Sequence, residues 1–206
     1  MFSAADSDLV LDEIGDKVLA AIVRATNGAR DDWAEVCTWR PDWVAEMFER
    51  EKAGIIHSRI WFRLQEQLEG VANVNMQTRE PHRDLVVQTI GGRSYAFRVK
   101  RHSQTDRISS YSTRSDVAYW TGEGMPSFPG MELVNLAAGY RWDNEANAMG
   151  ETVISYREGK QNVLWAYVLD EGQAGAEPIT RRPLEPTLPQ VDLRRAVDEV
   201  QQGGAP

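Results

Sequence analysis

Near residue 72 the spacing of apolar residues changes from about four to two, which restricts the chain to a fold where helices come first and a sheet follows. Before the change, Val10, Ile14, Val18 and Ile22 recur every fourth residue, with Leu11 and Leu19 beside them. That spacing lines one face of a helix. Asn27-Gly28 predicts its C-terminus. Asp31 and Asp32 then suit the positive end of a short second helix, and Pro41 the first turn of a third carrying Trp43, Val44, Met47 and Phe48. Gly54 predicts a bend or break, after which Ile56, Ile60, Leu64, Leu68 and Val71 continue the stripe.

After the change, Leu85 to Ile90 and Arg93 to Lys100 read as two arms of a hairpin. They are joined by Gly91-Gly92, residues that accept the positive φ of a tight turn. Tyr95, Phe97 and Val99 share one face of the second arm, and Ser94, Arg98 and Lys100 the other, which predicts one buried and one wet face. Residues 133–169 read as a three-stranded antiparallel meander, and 103–132 as an irregular segment with a short helix near Asp116–Trp120. Pro178, Pro183, Pro186 and Pro189 then favour an extended linker, followed by a short helix over Val191–Gln202.

The expected architecture is therefore α+β: an N-terminal helical layer packed on an antiparallel sheet of about five strands, with a proline-rich C-terminal tail. One domain is expected over 1–172, helical over 1–72 and mainly β over 73–172. Residues 173–206 form the linker and terminal helix.

Charge is segregated along the chain. The total is −8, but residues 1–52 hold 12 acids against 6 bases, and 170–206 hold 7 against 4. Within the nearly neutral middle, Arg93, Arg98, Lys100, Arg101, Arg107 and Arg114 face only Asp106 across 93–114. The acidic total argues against a protein that coats nucleic acid with its whole surface. The basic segment, rich in hydroxyls from Ser103 to Thr113, suits anionic oxygens such as those of phosphate. A solvated sheet face with a polar loop accounts for the same pattern without a ligand.

Other chemistry has weaker support. A metal-free ribonuclease would draw on Arg98, Arg101, His102, Arg107 and Tyr111, using charge to stabilise a pentacovalent phosphate. A metal nuclease would draw on Asp143, Glu145, Glu151 and Glu158, the last in a Glu158-Gly159-Lys160 motif that falls where a hairpin must reverse. His57, His82 and His102 stand apart without the spacing of a zinc site. The one cysteine, Cys37, excludes an internal disulfide and reads as a buried inert thiol. Serine-hydrolase, P-loop and dinucleotide signatures do not occur, and no cofactor is expected.

Trp43, Trp61, Trp142 and Trp165 fall on apolar faces and are expected in the core. Trp33, Trp39 and Trp120 sit in poorer periodicity and are candidate interface anchors, together with Phe128, Leu193, Val197 and Val200. The acidic start lacks the apolar run of a secretory signal, and no apolar stretch suits a membrane span, so a cytoplasmic protein without membrane contact is expected. The sequence thus favours a non-enzymatic interaction protein: a regulator, inhibitor or antitoxin-like subunit meeting a protein partner through acidic helices and tail. The product of an adjacent gene is the partner this reading looks to first. The competing expectation is a phosphodiester-acting enzyme or nucleic-acid binder using 93–114.

Overall fold

The N-terminal apolar stripe is shared between two helices, α1 (Ser7–Ile14) and α2 (Asp16–Trp39), separated at Gly15. Gly15 adopts a φ of 82°, which ends α1 while its N–H still bonds to Leu11 O. Asp6 caps α1, its carboxylate accepting the Leu9 N–H at 3.2 Å. A computed structural model of the chain describes residues 3–79, 82–109, 113–121, 132–159, 162–171 and 179–184.

Four expectations about the helices are corrected. Asn27-Gly28 does not end a helix, because α2 runs through it for a full 24 residues. A Cβ at position 28 would lie 2.5 Å from Arg63 Nη1, so the glycine leaves room for the Arg63 guanidinium to lie across α2 rather than marking a terminus. Asp31 and Asp32 accordingly lie inside α2, where Asp32 pairs with Arg59 at 2.8 Å and Arg63 at 2.6 Å. Pro41 does open a helix, α3 (Pro41–Glu46), but Met47 is already extended. The last helix of the layer, α4 (Glu49–Gln67), passes through Gly54 without a break.

The sheet has seven strands in sequence order: β1 (Val74–Arg79), β2 (His82–Gln88), β3 (Ser94–His102), β4 (Leu133–Asp143), β5 (Ala148–Glu158), β6 (Asn162–Asp170) and β7 (Thr180–Pro183). The hairpin β2–β3 and the meander β4–β5–β6 are where the period-2 pattern puts them. Gly92, at φ 86°, closes the hairpin turn. The sheet is mixed rather than antiparallel, since β3 and β4 run parallel. The connection between them carries α5 (Arg114–Thr121), as a parallel pair requires a crossover. β1 and β7 exceed the expected strand count. β7 lies at an edge, where a proline is tolerated; it falls in the segment expected to be linker, and the Val191–Gln202 helix lies outside the described residues.

The helices α1–α4 cover one face of the sheet, burying Leu11, Leu19, Ile22, Ile56 and Ile60 against Tyr95, Phe97, Leu136, Tyr140 and Ile154. Burying a side chain such as Phe97 stabilises the fold by about 2–3 kcal/mol. The opposite face of β3 is not wet, which corrects the second half of the alternation argument. Ala96 and Ala137 lie there in a second core with Ile108, Tyr119 and Trp120, so α5 roofs the strand. The Tyr119 hydroxyl donates to Ala96 O at 2.7 Å, and Asn135 Nδ2 donates to Tyr119 O at 2.6 Å, anchoring that roof.

Candidate functional sites

Four of the six bases of the basic segment are paired with carboxylates of the same chain. Arg93 pairs with Glu13 of α1, which also accepts the Tyr95 hydroxyl at 2.6 Å. Arg98, 8% exposed, donates to Asp84 at 2.7 Å and Asp116 at 3.4 Å, with its guanidinium 3.7 Å from the Tyr119 ring centre. Lys100 Nζ lies 3.7 Å from Asp116 and over the Trp120 ring. Arg101 donates to Glu49 of α4 at 2.7 Å. Arg107 and Arg114 are exposed and make no ion pair among the described residues.

The residues expected to act together on a phosphodiester do not converge. Arg98 faces α5 and Arg101 faces the helical layer, since neighbours three apart on a strand point oppositely. His102 is fully buried, 3.1 Å from Ser155 Oγ. Burial first, then the charge of Arg157, pulls its pKa down to about 3, so its imidazole is neutral. Tyr111 lies outside the described residues.

The weak metal candidates are occupied otherwise. Asp143 accepts the N–H groups of Glu145 and Ala146 at 2.8 and 2.9 Å in a tight turn. Glu151 bridges Arg141 and Arg182, and Glu158 ends β5 with its carboxylate accepting from Asn162. Lys160 lies outside the described residues, among which no three ligating side chains cluster.

Two expected interface anchors are buried. Trp33 donates its indole N–H to Asn147 O at 3.1 Å and meets Trp142 edge-on. Trp120 lies under the α5 roof with its N–H 3.3 Å from Asp116. Trp39 is exposed as expected, at 67%. Trp43, expected in the core, is 51% exposed, and Phe48 is 78% exposed. The cause is the sharp α2–α3 junction: α2 ends at Trp39 and α3 begins at Pro41. The two indoles pack edge to face at 5.9 Å, with the Arg40 guanidinium 4.9 and 4.8 Å from their centres. Glu35, Asp42 and Glu46, each exposed and within four residues of one of these indoles in sequence, make no ion pair among the described residues. A repeated Trp flanking Arg40-Pro41 was the available signal, obscured because Trp43 also fitted an apolar helix face. Phe128, Leu193, Val197 and Val200 lie outside the described residues.

A second feature had no strong mark in the sequence. A cleft of about 630 Å³ opens between α4 and the helical-layer face of β3 and β4. Arg50, Ala53, Gly54 and His57 form one wall, at the spacing of a single helix face; Val99, Arg101 and Tyr140 form the other. Burial first, then Arg83 and Lys100, lowers the His57 pKa to about 4, so the ring is neutral near pH 7.

Comparison with known protein families, with curated proteins and with solved structures finds no match. Among the described residues no helix is long and apolar enough to cross a membrane.

Proposed function

We propose that this chain is a small interaction protein, of the regulator, inhibitor or antitoxin-like kind, that binds a protein partner through its acidic helical layer. The observation that carries the reading is the exposed Trp39–Trp43 pair, with Phe48 exposed five residues further on, since large aromatics on a surface are characteristic anchors of protein interfaces. The exposed carboxylates of Glu35, Asp42 and Glu46, without an ion pair among the described residues, suit a partner surface bearing Lys or Arg beside apolar residues. A partner encoded by an adjacent gene, and a cytoplasmic setting, belong to the same reading. The nucleic-acid alternative draws less support, because Arg93, Arg98, Lys100 and Arg101 already have carboxylates beside them.

The test is affinity purification of the tagged full chain from its native host, with stoichiometry measured by size exclusion and mass spectrometry. A protein recovered near one-to-one with the wild type, and lost from a Trp39→Ser/Trp43→Ser/Phe48→Ser variant that still folds, supports the reading. Each anchor removed should weaken the complex roughly 30-fold. Elution of the wild type alone, or equal recovery with the variant, refutes it.

A further inference from the structure

We propose that the cleft between α4 and β3–β4 binds a small organic carboxylate, with its carboxylate on Arg101 in place of Glu49 and its apolar body against Gly54, Val99 and the Tyr140 ring. This site is separate from the aromatic patch and does not depend on it.

Size and lining come first. A volume near 630 Å³ falls in the range of small-molecule sites, and the walls combine apolar surface with a few polar groups, as such sites do. Tyr140 is 2% exposed, yet its hydroxyl has no hydrogen-bond partner among the described residues. That hydroxyl is not enclosed as the unpartnered Trp142 indole N–H and Thr152 hydroxyl are, so it reaches the cleft, where a ligand oxygen can take the place of water. The charges acting on this hydroxyl are those of Arg101 and Glu49, which places it toward the cleft mouth. His57 likewise has no partner among the described residues, and the charges acting on its ring, from Arg83 and Lys100, are both positive.

Selectivity for a carboxylate follows from Arg101. Its guanidinium already holds a carboxylate at the mouth, that of Glu49, through a single 2.7 Å contact. Glu49 is half exposed and also accepts from Lys52 at 3.1 Å, so it can turn to that partner and yield its place. A ligand carboxylate can then meet the guanidinium fork with both oxygens. Glu49 and Arg50 lie in the first turn of a 19-residue helix, whose positive end adds attraction for an anion.

Gly54 supplies the control. It sits inside α4, where alanine would favour the helix, and a Cβ there would meet nothing within 4 Å. Its absent side chain leaves space, and filling that space need not harm the fold.

The experiment is calorimetric titration and thermal denaturation of the purified full chain with benzoate, cinnamate, indole-3-acetate and octanoate, each beside its uncharged amide, to about 10 mM. At least one carboxylate should bind saturably and raise Tm, while its amide does not. Arg101→Gln should weaken that binding roughly tenfold or more, Glu49→Gln should strengthen it, and Gly54→Phe should abolish it while the variant remains folded. Failure of all four carboxylates, equal binding of an amide, or undiminished binding to Gly54→Phe overturns the proposal.

Discussion

Replacing Asp116 with Asn removes one buried charge while nearly preserving shape, and the consequences are readable from three distances. Asp116 is 3% exposed; its Oδ1 lies 3.4 Å from Arg98 Nη1 and 3.7 Å from Lys100 Nζ, and its Oδ2 accepts the Trp120 indole N–H at 3.3 Å. At an effective dielectric of about 20, each ion pair amounts to roughly 4–5 kcal/mol of attraction before desolvation is subtracted. Breaking a buried pair by removing one partner costs about 3–5 kcal/mol, because the remaining charge stays buried. Arg98 keeps Asp84 at 2.7 Å, which favours the lower end, about 3 kcal/mol. Asp84→Asn, at a more exposed carboxylate that pairs with Arg98, should cost about 1 kcal/mol. Urea denaturation gives both values, and native-state hydrogen exchange over 113–121 shows whether the loss begins with α5 lifting from the sheet. Asp116→Asn within about 0.5 kcal/mol of wild type would refute the claim that this carboxylate holds the roof over β3.

Two further perturbations test other parts of the fold. His102 and His57 have folded-state pKa values of about 3 and about 4, below the 6.5 of an open chain, so the unfolded state takes up protons that the fold excludes. Stability should be full above about pH 6.5 and fall toward pH 4, each histidine adding a slope of up to about 1.4 kcal/mol per pH unit. A urea midpoint unchanged between pH 7 and pH 5 would contradict this. Gly139 pairs with Lys100, whose carbonyl would collide with any Cβ at position 139, and being backbone it cannot swing aside. Gly139→Ala should therefore cost about 2–3 kcal/mol by opening the β3–β4 pairing, read as a fall in Tm; a loss under about 0.5 kcal/mol would argue against it.

Much of the architecture was legible because burial imposes period. The stripe from Val10 to Ile22 and the alternation through Tyr95–Val99 mark the residues that now meet in the main core. Boundaries were less legible, since a stripe runs unbroken across Gly15 and a glycine can serve packing, as Gly28 does for Arg63. Strand direction was hidden altogether: β3 and β4 carry the same alternation whether they pair parallel or antiparallel. The cleft escaped notice because its helix wall is written in small and polar residues, on a face of α4 that the Ile56–Ile60 stripe does not mark.

The segregated charge has a different meaning in three dimensions. Acids at the chain's beginning and bases in its middle are complementary halves of contacts that dock the helical layer on the sheet: Glu13 with Arg93, and Glu49 with Arg101. The same holds at the far edge, where Arg181 of β7 reaches Asp12 of α1 and Asp16 of α2 at 2.6 and 2.7 Å. Opposite charges distant in sequence therefore do not imply a second molecule, because the fold itself is the first partner available to them. What bears on an external partner is the residue left after this internal pairing. In the N-terminal layer that residue includes Glu35, Asp42 and Glu46, exposed, without an ion pair among the described residues, and close in sequence to the exposed Trp39, Trp43 and Phe48. The coincidence of uncompensated charge with unburied aromatic surface, rather than net acidity, is the physical ground for looking there first.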